Sequence, residues 1–118
     1  MAGLLLASLS FTGCGPSIST VNGKPDSYYG KVLRIQGRIG EILVRTETGK
    51  PNVFQLVSKG GHRIIVVAPG PVDYGVGDRV HLSGEFTPER TIAGQTFYDV
   101  VSASEIRRAG RLGGIPFL

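Results

Sequence analysis

The stretch 30–44, GKVLRIQGRIGEILV, constrains the fold more than any other part of the chain. In an extended chain successive side chains point to opposite faces. Leu33, Ile35 and Ile39 then share one face, and Arg34, Gln36 and Arg38 share the other. Gly37 falls on the apolar face and Gly40 follows it. A glycine inside a strand pattern marks a bulge, a bend or a close backbone approach. One long strand bent there can serve two sheets and turn the corner of a small barrel. The alternative is two short strands broken at Gly37.

The remaining chain has the texture of short strands and turns, with Gly 18 and Pro 7 in 118 residues. Residues 25–30, PDSYYG, read as one helical turn capped by Asp26 or Ser27 and ended by Gly30. A turn at 46–52 precedes a second strand at 53–58, with Phe54 and Leu56 inward and Val53, Gln55 and Val57 outward. Lys59-Gly60-Gly61 makes a tight connection to a third strand at 62–68. Ile64-Ile65-Val66-Val67 is apolar on both faces, so both need cover. The segment 69–77 holds two prolines and three glycines and excludes a full helix. A fourth strand at 79–86 alternates Val80, Leu82, Gly84 and Phe86 with Arg79, His81, Ser83 and Glu85. A loop at 87–94, a fifth strand at 95–102 and a short last strand or helical turn at 104–108 complete the reading.

Five strands, a bent first strand and a glycine on the inner face of the fourth predict an all-β, five-stranded Greek-key barrel, the OB-fold. The phrases Tyr29-Gly30-Lys31-Val32, Ile35-Gln36-Gly37-Arg38-Ile39, Val76-Gly77-Asp78-Arg79-Val80 and Leu82-Ser83-Gly84-Glu85-Phe86 resemble recurring phrases of OB-fold domains. The likeness is to small secreted or lipid-anchored bacterial OB-fold proteins and, more distantly, to the anticodon-binding-like nucleic-acid group. It covers 25–108 and is structural, so it implies a fold rather than an activity. The chain departs from the pattern where a helix usually joins strands three and four.

Residues 2–11, AGLLLASLSF, are too short to span a bilayer and have the length of a signal-peptide apolar region. Thr12-Gly13-Cys14 follows and resembles the lipobox of bacterial lipoproteins, with Phe11 at the usual leucine position and no basic residue before the apolar run. The resemblance implies a signal peptide at 1–13 and lipidation of Cys14. It further implies an exported protein anchored at the cell envelope, on the outer side of the cytoplasmic membrane or the periplasmic face of the outer membrane. The polar, glycine- and proline-containing residues after Cys14 read as a flexible tether over 14–24. The alternative is a buried N-terminal element with an ordinary free cysteine. A single cysteine excludes an internal disulfide.

The net charge of +4 invites a nucleic-acid reading. Arg107, Arg108 and Arg111 lie in the last dozen residues, and removing three from 13 basic residues leaves 10 against 9 acidic ones. The charge therefore reads as a nearly neutral body with a basic end, and 109–118 reads as a loose tail.

No GxSxG, HExxH, CxxC or phosphate-cradling glycine loop accompanies His62 and His81, which read as surface residues. Asp78 most simply closes a Gly-Asp turn. The expectation is a non-catalytic module without cofactor or metal. Its partners would be a membrane, through the N-terminal lipid, and an unidentified protein or small ligand. Candidate ligand contacts are Arg34, Gln36, Arg38, Gln55 and Arg63 on the polar face, with Tyr74 and Tyr98 as a second set. Single-stranded nucleic acid is the alternative ligand. It is disfavoured because outward aromatic platforms, worth ~1–3 kcal/mol per base, are missing. A third reading has Ile65 and Val67 pairing with another protein.

Overall fold

The computed structural model describes residues 15–109. A short helix α1 (Ile18–Gly23) and a 3-10 turn (Pro25–Ser27) precede five strands. These are β1 (Val32–Arg45), β2 (Pro51–Val57), β3 (Arg63–Val67), β4 (Arg79–Ile92) and β5 (Gln95–Arg108). They close into a barrel in the order β1-β2-β3-β5-β4, in which β3 and β5 run parallel and every other pair is antiparallel. This is the all-β OB-fold barrel expected from the sequence, without a helix between β3 and β4.

The bend in β1 closes the barrel. Val32 to Arg38 pair with β4, and Arg38 to Arg45 pair with β2. The exchange of partner falls directly after Gly37, and the register shifts at Gly40. A Cβ on Gly37 would lie 2.6 Å from the Val57 carbonyl oxygen, so only glycine lets β2 cross so close to β1. β1 is one continuous strand, not two.

Leu33, Ile35, Ile39, Phe54, Leu56, Ile64, Val66, Val80, Leu82 and Phe86 fill the interior as their alternation predicts. The stretch expected as a tether adds to them. Ile18 and Val21, at 2% and 0% exposure, are buried in the same core. Three residues apart, they share one face of α1. Ser17 caps the helix by accepting the Thr20 N–H at 3.2 Å. Asn22 Nδ2 donates to the Arg63 carbonyl at 2.8 Å and ties the helix to β3. The 3-10 turn that follows is preceded by Lys24 and has no side-chain cap, so neither Asp26 nor Ser27 plays that part. Gly30 ends the turn at φ +84°.

The segment 87–94 is not a loop. β4 and β5 continue past the barrel as a hairpin arm, closed by Ala93 and Gly94 at φ 53° and 79°. Positive φ at both positions gives the turn that matches strand twist. Burial accounts for the arm: Phe97 packs with Val53, Val67 and Val100, and Leu43, Val44, Ile65 and Ile92 lean on them. Val53 is therefore buried although it lies on the outer face, and the second face of β3 is covered from within the chain, completely at Val67 and partly at Ile65. The last segment is also part of β5, which runs unbroken from Gln95 to Arg108 with Ser104 as an extra residue opposite the Ser83–Gly84 step.

At the base of the arm the Tyr29 ring stacks on Phe86 with centroids 5.3 Å apart. Its hydroxyl donates to the Asp99 carboxylate. That hydrogen bond, followed by burial, holds the Tyr29 hydroxyl above the ordinary tyrosine range. Asp99 adopts φ 53°, a conformation uncommon outside glycine.

Candidate functional site

β1 presents Arg34, Gln36 and Arg38 outward, all exposed, as its alternation requires. The barrel register decides what stands beside them. Arg38 lies opposite Arg79 on β4 and opposite Val57 on β2, and Val57 lies opposite Arg63 on β3. Arg79, Arg38, Val57 and Arg63 thus form one row across four strands. At ~4.8 Å per strand the row spans roughly 14 Å. The next row places Gln36 beside His81 and His81 beside Arg107, and the one after places Arg34 beside Ser83 and Ser83 beside Glu105.

An open groove of about 990 Å³ runs along this face. Among the described residues Arg34, Arg38, Lys59 and Arg79 are its charged lining residues, and no Asp or Glu lines it. Lys59 is brought there by the β2–β3 turn, which Gly61 closes at φ +87° with its N–H on the Ser58 carbonyl at 2.9 Å. Val76 and Gly77 form another wall. The Gly77 N–H reaches the Ile39 carbonyl at 2.8 Å, and the Ile39 N–H reaches the Asp78 carbonyl at 2.9 Å. Asp78 closes the turn as expected, its carboxylate accepting the Gly75 N–H at 2.9 Å, with Arg108 Nη2 3.6 Å away. Gly15 completes the rim. A Cβ there would lie 2.8 Å from the Arg34 carbonyl oxygen.

Among the described residues no carboxylate pairs with Arg38, Lys59 or Arg79. Like charges directly opposite across a strand pair are destabilising. Arg38 and Arg79 therefore face each other at a cost that a bound anion would remove.

The remaining candidates divide. Arg63 Nη1 donates to Gln55 Oε1 at 2.8 Å, so these two extend the row on the β3 side. Tyr74 is half-buried against the core, with the Arg108 guanidinium 5.3 Å over its ring, and serves packing. Tyr98 is 63% exposed on the arm opposite Glu89 and is not part of the groove. His62 and His81 are exposed. Arg107 and Arg108 are strand residues rather than a tail, so the basic character belongs in part to the barrel. Cys14, residues 1–13 and Arg111 lie outside the described residues.

Lys59 and Arg79 line the groove without being among the candidate contacts expected from the sequence, and Arg107 extends the face beside His81. Arg79 alternates with inward Val80, which marks it as outward, but its position beside Arg38 follows only from the β1–β4 pairing.

No protein-family model and no curated protein matches the chain. Solved structures do, among them the following two. One is a DUF3299 family protein from Pseudomonas aeruginosa, with a TM-score of 0.57 and 17% identity over 74% of this chain. The chain spans 66% of that protein's length. The other is the hypothetical protein ygiW from E. coli, with a TM-score of 0.51 and 14% identity over 83% of this chain and 92% of that one. The likeness is one of fold.

Proposed function

We propose that this domain is a non-catalytic binding module of a bacterial envelope lipoprotein, and that the groove along β1 and β4 takes an anionic ligand. The cross-strand Arg38–Arg79 pair, in a groove whose described residues supply four cations and no carboxylate, carries the reading. The 14 Å length of the arginine row suits a ligand with several anionic groups rather than one. Single-stranded nucleic acid remains the second reading, because such a row supplies the phosphate half of its recognition. The stacking half is missing: no aromatic residue among the described residues lines the groove, and Val53 and Val67 on the outer face of β2 and β3 are covered by the arm.

Titration with short-chain inorganic polyphosphate tests the ligand class. Replacing Arg38 and Arg79 with Gln should weaken binding about tenfold or more, the scale of losing charge-assisted hydrogen bonds. Arg45→Gln should leave it unchanged, since Arg45 caps the Gly49 carbonyl at the far end of β1. Sub-micromolar binding of a single-stranded oligonucleotide, lost in the same double variant, would favour the second reading.

The address rests on the lipobox-like Thr12-Gly13-Cys14. Labelled palmitate should mark the protein expressed in bacteria and should not mark Cys14→Ser. A protein that stays in the cytosol with residues 1–13 attached would overturn the lipoprotein reading.

A further inference from the structure

We propose that the cationic groove docks on the anionic headgroups of a lipid bilayer, the bilayer that the chain's own N-terminal residues seek. The inference rests on the reading of the groove as an anion site and names its occupant. Three observations converge on it.

The first is charge. Arg34, Arg38, Lys59 and Arg79 line the groove, and Arg63 and Arg107 extend the face to either side. Carboxylates enter the register at its borders, Glu41 opposite Gln55, Glu105 opposite Ser83 and Glu85 opposite Val32. Asp78, next to Arg79 in sequence, is engaged by Gly75 and Arg108. Each basic residue near an anionic bilayer surface contributes ~1 kcal/mol.

The second is form. The row of arginines lies on the outer face of a sheet, with the half-buried Val57 in its middle. Phosphate headgroups need only charge at such a face, whereas bases need rings to stack on, and among the described residues none lines the groove.

The third is attachment, and it decides between a bilayer and a free polyanion. Gly15 sits on the groove rim against the Arg34 backbone. It is bonded to Cys14, and the apolar residues 2–11 precede that cysteine. Whether a lipid on Cys14 or the apolar run itself enters the bilayer, the membrane-seeking part joins the domain at the groove. A tether over 14–24 would let the domain turn any face to the surface. Ile18, buried at 2% exposure, leaves only residues 15–17 between the attachment point and the core. Three extended residues reach roughly 10 Å, too little to swing the opposite face of the barrel onto the membrane.

The test uses the full chain with Cys14→Ser, so that lipidation plays no part in the outcome. One new cysteine carries an environment-sensitive fluorophore, at Gln36→Cys in the groove or at Thr48→Cys in the β1–β2 turn. Vesicles of phosphatidylcholine alone give the baseline due to residues 1–13, and vesicles containing phosphatidylglycerol give the charge-dependent part. We expect phosphatidylglycerol to strengthen binding and to shift the emission of the Gln36 label but not the Thr48 label. Adding Arg38→Gln with Arg79→Gln should weaken the charge-dependent part roughly 25-fold, about fivefold per charge. Equal response at both labels, or no effect of the arginine changes, would overturn headgroup docking. Polyphosphate binding without any phosphatidylglycerol dependence would overturn the docking and leave the anion site standing. Loss of both would overturn the two together. Displacement from vesicles by sub-micromolar single-stranded DNA would also contradict it.

Discussion

Gly84→Val is expected to lower the urea midpoint of this domain further than substitution at any other strand glycine. A Cβ at Gly84 would lie 2.3 Å from the Ser102 carbonyl oxygen and 2.6 Å from the Ala103 Cα. Both are backbone atoms of β5, fixed by the ladder and by the extra residue Ser104, so no side chain can turn away to make room. Overpacking a core usually costs ~1–3 kcal/mol, and here the loss should reach or pass ~3 kcal/mol. Gly37→Val should come second, because its Cβ meets the Val57 carbonyl oxygen at 2.6 Å. Gly40→Val should cost least, although its Cβ would lie 2.5 Å from Val57 Cγ2, since that atom belongs to a half-buried side chain that can rotate. Equal losses at Gly84 and Gly40 would contradict the close β4–β5 approach that closes the barrel.

Ile18→Ala should cost about 2–5 kcal/mol, the range for a large aliphatic deleted from a packed core. The neighbouring Ser19→Ala, on the exposed side of α1, should stay within about 0.5 kcal/mol. The difference measures whether α1 is part of the barrel's core or a loose leader before it. Two neutral substitutions would restore the tether over 14–24 that composition alone suggests.

The inner face of the barrel was legible because alternation is a local signal. Leu33, Ile35, Ile39, Phe54, Leu56, Val80, Leu82 and Phe86 all face inward, and Gly37 and Gly84 mark the close approaches. Two features escaped because polar residues outnumber apolar ones in them. In ISTVNG the pair Ile18 and Val21, three apart behind the capping Ser17, was the readable sign of a helix. In the arm, Pro88, Glu89 and Arg90 suggest a loop, while only the burial of Phe97 and Ile92 over Val53 and Val67 makes a strand worthwhile. That override of local preference by tertiary packing is typical of strands. The candidate site was half legible. Outward Arg34, Gln36 and Arg38 follow from period two, but Arg79 joins Arg38 only through the pairing of distant strands. Tyr74 and Tyr98 stand out in the sequence by residue type alone, and packing assigns the first to the core edge and the second to the arm.

The most direct measurement on the groove is a map of backbone amide shifts during the polyphosphate titration. The account predicts saturable shifts centred on Arg38, Gly40, Lys59 and Arg79, with Thr48 and Gly94 unmoved. Shifts centred on the hairpin arm around Gly94 and Tyr98, or none at all, would contradict it.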